Sequence, residues 1–361
     1  MDLLRSLCST PTAPFAEQRV AQFVRDFVAR RKGLSLRADR FGNLLIELKS
    51  RSRLPRWVFT AHMDHPGFVA QKMIGRHALA AAFRGWVKVD FVRGTRVRFF
   101  DGDRQVPGVV THATVQDYDQ RPVPHRVVVR VDEPVSPQSP GMFDQGEGRY
   151  QNGKFLCRAC DDLAGAAACL AMLDRLVRKL PKSPVAVLLT RAEEEGFIGC
   201  IAACQHRTLL RKTDRVISIE CSSVQPAAPQ GNGVVIRVGD HSSIFNSALT
   251  YFLVQQAQRL KETDRAFRYQ RALMPGGTCE ATVCDIWGYA ATSLCVALGN
   301  YHNMDLKRQR IGPEFIDTSD WRNMVKLFVQ VARNAHTYRP GHVALRARVM
   351  KRFNRLKHLL I

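Results

Sequence analysis

Five short segments of this chain carry side chains able to hold a metal ion. AHMDHPG offers His62 and Asp64, CRACDDLAG offers Asp161 and Asp162, and TRAEEEGFIG offers Glu193, Glu194 and Glu195. Glu220 closes VISIE, and His302 lies in GNYHNMD. A neutral imidazole is a common zinc ligand, and a carboxylate two residues on can sit behind it and fix its tautomer. Two imidazoles and several carboxylates suit a pair of close divalent ions, with one carboxylate bridging them and an imidazole capping each side. Ions about 3.5–4 Å apart acidify a shared water and hold both oxygens of a tetrahedral intermediate. A further carboxylate must then take the water's proton and pass it to the leaving amine. The adjacent pair Glu193 and Glu194 could supply one ligand and that base.

Each segment also has a plainer reading. A lone His62 would be a satisfied core histidine, and Asp161 at a helix start would be an N-cap. The acidic run Glu193 to Glu195 would be a solvated face, and Cys200 and Cys204 helix-packing residues. Cys157 and Cys160 form a C-x-x-C with no second pair at zinc-finger spacing, so no separate structural zinc is expected. What favours chemistry is place. Each of the five segments follows a strand-like run or opens a helix, where open α/β sheets build their ligand sites.

The elements that must do the positioning are legible from periodicity. Phe15 to Arg31 has an apolar stripe at helical spacing. WVFTA, VAVLLT and VISIE read as buried strands, and Asp161 to Leu180 and Trp321 to His336 as helices. This alternation predicts an α/β sandwich with a mainly parallel sheet. Between residues 67 and 150 the texture becomes all β, with WVKVDFV, TRVRFF, GVVTHATV and HRVVVRV separated by Gly, Pro and Asp. That stretch reads as an inserted β domain without chemistry of its own. The expected organisation is a discontinuous catalytic domain, 1–66 and 151–338, around the insertion at 67–150. A basic amphipathic tail, 339–361, follows.

Composition narrows the class. With 361 residues, 45% hydrophobic and 24% charged, the chain is globular and too long for one small core. It has no apolar run long enough to span a bilayer and no signal-peptide pattern at its start, so a cytoplasmic location is expected. Ten cysteines then read as free thiols. The net charge of +22 permits attraction to nucleic acid, an anionic membrane or acidic peptides. A solvated or subunit-packing role for the basic surface is preferred over nucleic-acid or membrane contact.

In their order along the chain, AHMDHPG, DDLAG, TRAEEEGFIG, VISIE and GNYHNMD resemble the motifs of the tetrahedral-aminopeptidase family of cocatalytic di-metal peptidases, the glutamyl, leucyl and lysyl aminopeptidase type. DRFGN near Asn43 and GGTCEAT around Thr278 add to the likeness, which runs from about Leu7 to His336. The resemblance implies a three-layer α/β/α sandwich of the zinc-dependent exopeptidase type, with a small β-barrel-like insertion serving oligomer contacts. It implies a homo-oligomer, from a dimer up to a dodecamer, acting on peptide substrates. It assigns His62 to one metal with Asp64 orienting it, Asp161 to a bridge, and Glu220 to the first metal's shell. Glu194 and His302 take the second metal, and Glu193 is the general base. The cofactor is then two divalent ions per subunit, zinc first, with cobalt or manganese as alternatives.

The chain departs from that pattern at four places. Glu220 stands where an aspartate is usual, His65 where an acid follows the HxD, Leu163 where DDR has arginine, and Cys279-Glu280 where GTDA has aspartate. No ligand type is lost. Aminopeptidase activity rests on the resemblance alone. A carboxypeptidase or an N-acyl amino acid deacylase on the same scaffold is the alternative, or a non-enzymatic basic binding protein with a decayed site.

Overall fold

Trp57–His62 and Val185–Thr190 are buried at every position, as strands covered on both faces must be. They pair in parallel at the centre of an 11-stranded sheet. The computed structural model describes residues 2–360 apart from 51, 119, 120, 183, 341 and 342; residues 341, 342 and 361 of the expected tail thus lie outside the described residues.

The sheet runs in the order Leu34–Ala38, Leu44–Leu48, Val185–Thr190, Trp57–His62, Arg215–Ser223, Ala290–Gly299, Glu314–Asp317, Lys154–Cys157 and Arg149–Gln151. Val234–Gly239 pairs with Ala290–Gly299 and, on its other side, with Tyr269–Leu273. Parallel pairing was expected to dominate. It is confined to the four central strands and the Val234–Gly239 pair with Tyr269–Leu273, and the flanks are antiparallel. Leu34–Ala38 with Leu44–Leu48 and Arg149–Gln151 with Lys154–Cys157 are hairpins, whose short turns permit only antiparallel return, while the central strands, separated by long connections that include helices, can pair in parallel.

Alternate residues along each central strand face opposite helix layers. Trp57, Phe59 and Ala61 pack with the helices Gln18–Ala29, Leu163–Arg178 and Thr318–Asn334. Val58, Ala186, Leu188 and Val216 pack with Ile198–His206 and Glu280–Ile286. The result is the three-layer α/β/α sandwich. Leu163–Arg178 is crowded with alanine and glycine, which let it lie close on the sheet; Asp161 and Asp162 precede it instead of belonging to it.

Gly67–Gly75, Ala78–Arg84, Arg96–Asp101, Arg104–Tyr118, Arg121–Val131 and Pro140–Phe143 close into a barrel. Closure removes the sheet edges, and the interior is filled by Phe68, Phe83, Phe99, Phe143 and a set of valines. Near the end of the chain, Val343–Leu356 forms a helix whose Val349, Phe353 and Leu356 remain exposed. Among the described residues no helix is long and apolar enough to cross a membrane.

Candidate active site

The central strands end at one edge of the sheet, and the five acidic and histidine segments meet there. His62 is the last residue of its strand, Glu220 lies in Arg215–Ser223, and His302 follows Ala290–Gly299 after a short turn. The acidic turn begins three residues after Val185–Thr190. Ligand atoms of His62, Asp161 and Glu220 lie within 4.8 Å of one another, and so do those of Asp161, Glu194 and His302. Asp161 is common to both groups.

The two imidazoles are held alike. His62 Nδ1 lies 3.1 Å from the backbone carbonyl of Asp64, and His302 Nδ1 hydrogen-bonds the carbonyl of Trp86. A carbonyl only accepts, so each Nδ1 carries the hydrogen and each Nε2 is left as the acceptor. Those Nε2 atoms face carboxylates: His62 Nε2 is 3.6 Å from Asp161 and 3.8 Å from Glu193, and His302 Nε2 is 3.1 Å from Glu194. Acceptors aimed at acceptors need positive charge between them, a metal ion or, without one, a proton on each Nε2. Glu194 Oε1 and Glu220 Oε1 are also buried without a hydrogen-bond partner. This N/O donor set therefore fits divalent metal.

The electrostatics say the same. Burial pushes the Glu220 carboxyl up to about 8, with Asp161 adding to the rise. Burial also drives Glu193 well above the usual range, with Glu220, Glu194 and Asp64 contributing. Burial works to lower both imidazoles, but Glu193 lifts His62 well above its ordinary value and Glu194 lifts His302 to about 9. The cluster holds protons where it lacks other positive charge.

Around this cluster stands a shell that fixes it. Asp64 sits behind His62 at 3.5 Å from Nδ1, but its two oxygens also take the backbone N–H groups of Glu193 and Glu194, each at 3.0 Å. Asp64 therefore sets the acidic turn as well as the imidazole. Glu314, buried and unforeseen, accepts from the N–H groups of Cys160, Asp161 and His302. His65, which replaces an acid, bridges the Asp161 carbonyl at 2.7 Å and Asn303 Oδ1 at 3.0 Å. Glu280 accepts from Thr60, two residues before His62. Leu163 is simply core. Asn43 of DRFGN accepts from Arg191 N and donates to the Gly199 carbonyl, tying that loop to the acidic turn. A Cβ on Gly199 would lie 2.4 Å from the Arg191 carbonyl, so only glycine permits this approach. Ala192, Phe197, His302 and Asn303 all have positive φ, a cluster of strained backbone at the site.

The insertion does contribute, contrary to expectation. Its Trp86 carbonyl orients His302, and Gly85 N–H donates to Glu195 at 2.7 Å. The insertion makes both contacts through its backbone, so periodicity could not reveal them. A pocket opens beside the cluster, lined by Glu193, Tyr301, Met274, Gly276, Thr278 and Arg237. Arg237 is a buried guanidinium whose Nε lacks a partner.

A central parallel sheet with a histidine and carboxylate cluster at its strand ends, carrying a barrel, defines a metallo-exopeptidase. The profile of the M42 glutamyl aminopeptidases matches residues 42–306, and the chain belongs to that family. Its peptidases are metal-dependent. The fold is similar to that of the Pyrococcus horikoshii TET1 peptidase, with 20% identity over 91% of this chain and 98% of that one, at a TM-score of 0.75. It is also similar to a TET aminopeptidase from the marine sediment archaeon Thaumarchaeota archaeon SCGC AB-539-E09, with 17% identity over 92% and 96% and a TM-score of 0.76. Yeast aminopeptidase 1 is more distant in sequence, at 11% identity over 93% and 97%, with a TM-score of 0.65. A search of curated proteins found no significant match.

Proposed function

We propose that this protein is a di-metal aminopeptidase that removes N-terminal residues from peptides. The observation that carries the reading is Asp161, whose carboxylate belongs to both ligand groups. His62, Asp161 and Glu220 would hold one ion, and Asp161, Glu194 and His302 the other, with zinc the first choice for this donor set. When bound, the ions acidify a water and polarise the scissile carbonyl.

The chain's own groups then divide the work. Glu193 faces the pocket beside the ligands, and its burial among carboxylates raises its affinity for a proton. It takes the water's proton and returns it to the leaving amine. Asp64 holds the Glu193 and Glu194 backbone so that base and ligand keep their places. Arg237, buried in the pocket wall with a free donor, suits an acidic side chain on the residue removed.

The P. horikoshii TET1 peptidase assembles into a tetrahedron or an octahedral shell. We extend self-association to this chain, with peptides as its substrates. All ten cysteines are free and buried, which fits a reducing compartment such as the cytoplasm.

The test is metal content per chain by elemental mass spectrometry, with peptidase assays before and after chelation on free and N-blocked peptides. About two equivalents and chelator-sensitive cleavage of free N-termini support the reading. Cleavage of blocked peptides alone would point to a deacylase or carboxypeptidase. No metal, and no activity after adding zinc, cobalt or manganese, would end it.

A further inference from the structure

Behind the sheet, away from the ligand cluster, three thiols converge. Cys200 and Cys204 lie one turn apart on Ile198–His206, and Cys284 faces them from Glu280–Ile286. Cys284 Sγ is 3.8 Å from Cys200 Sγ and 3.8 Å from Cys204 Sγ. All three sulfurs fall within 4.8 Å of one another, and all three residues are buried. No other three thiols meet in this way among the described residues.

We propose that these thiols form a separate binding site for one soft divalent ion of the zinc class. The spacing supports this. Zinc–sulfur bonds of about 2.3 Å at a tetrahedral angle put the sulfurs about 3.8 Å apart, which is the separation of Cys284 Sγ from each of the other two. Helical i, i+4 spacing supplies two ligands from one face, and the third comes from the neighbouring helix. The Cys200 thiol also contacts the Glu280 carbonyl oxygen at 3.9 Å. On binding, the three thiols release their protons and the ion takes their place.

The placement gives the site a purpose. Ile198–His206 follows the Glu193–Glu195 turn directly, and Glu280–Ile286 follows the pocket residues Thr278 and Cys279. An ion between them would staple the base-bearing turn to the pocket wall. The competing role is plain apolar packing, since these cysteines also sit among Ala203, Ala281 and Val283.

The experiment uses the full chain, reduced and stripped of metal, titrated with Cd²⁺ as a spectroscopic stand-in for zinc. The peptidase cluster has nitrogen and oxygen donors and gives no thiolate charge-transfer band in the ultraviolet. We expect a band that saturates at one equivalent, disappears in Cys284→Ala and Cys204→Ala, and persists in Cys221→Ala. On wild-type protein, Zn²⁺ should protect three cysteines from alkylation, mapped by mass spectrometry to Cys200, Cys204 and Cys284; this holds even where a variant fails to fold. Absence of the band, its persistence in Cys284→Ala, or equal and complete alkylation of the three cysteines with and without zinc would overturn the site. None of these outcomes bears on peptidase activity.

Discussion

The Oε1 atom of Glu314 accepts the backbone N–H of His302 at 2.9 Å. Its other oxygen takes the N–H groups of Cys160 at 2.7 Å and Asp161 at 3.1 Å. One buried carboxylate thus fixes the backbone of the proposed bridging ligand and of an imidazole on the second ion. Groups that orient ligands in this way typically control metal affinity by about 10–100-fold. Glu314→Gln leaves one oxygen and turns an amide N–H toward backbone donors. We expect its metal affinity to fall by about that factor, measured by competition with a chelator, while circular dichroism shows a folded chain. Unchanged affinity would remove Glu314 from the site.

Glu193 and Glu194 are adjacent and both fall in a group with His62, yet only Glu194 also shares one with Asp161 and His302. Glu193→Gln should therefore keep about two metals per chain and lose activity by about 10²–10⁴-fold in kcat, the usual worth of a general base. Loss of metal in this variant would mean that the two neighbours have exchanged roles.

Much of this site was legible because strand ends are marked by apolar runs. His62 follows WVFTA, and Glu220 closes VISIE, so period and position pointed to the same edge. Glu314 was missed, although it stands two residues before Ile316 and is buried in phase with it. A charged residue on the core face of a strand was the available signal. Arg237 likewise interrupts a buried strand, VVIRVG. The Trp86 carbonyl left no trace, since backbone donors and acceptors are the same in every sequence. The antiparallel flanks were missed because buried strands look alike whichever way they pair. The meeting of Cys284 with Cys200 and Cys204 depends on how two helices pack, which no local pattern encodes.

Arg237 tests the substrate preference. Burial works to lower its pKa, but Cys279, Cys295, Glu220 and Asp240 raise it, so it stays charged. If it receives an acidic side chain, Arg237→Ala should lower kcat/KM for N-terminal glutamate by about 10–100-fold more than for leucine, as the loss of a charge-assisted hydrogen bond implies. If it serves only to offset Glu220, both substrates should lose equally. Equal loss would leave the preference to other pocket residues.

The last prediction concerns pH. Without metal, Glu194 and its neighbours lift His302 to about 9 against the effect of burial, and burial lifts Glu220 to about 8. In the unfolded chain these groups titrate near about 6.5 and 4.3. For His302 the raised value gives stability that is complete below about pH 6.5 and is lost as pH rises through its folded pKa. For Glu220 the folded state keeps a proton that the unfolded chain releases near about pH 4.3, so stability again falls as pH rises toward its folded value. Both groups act in the same direction. The metal-free protein should therefore lose Tm through these groups between about pH 5 and 9. Bound ions displace the same protons, so metal binding strengthens over that range and releases protons. We expect the Tm difference between reloaded and chelated protein to widen steadily from about pH 5 to 9, with acid released on adding zinc at neutral pH. A difference that narrows over this range, or binding without proton release, would show that the carboxylate and imidazole cluster is not where the metal goes.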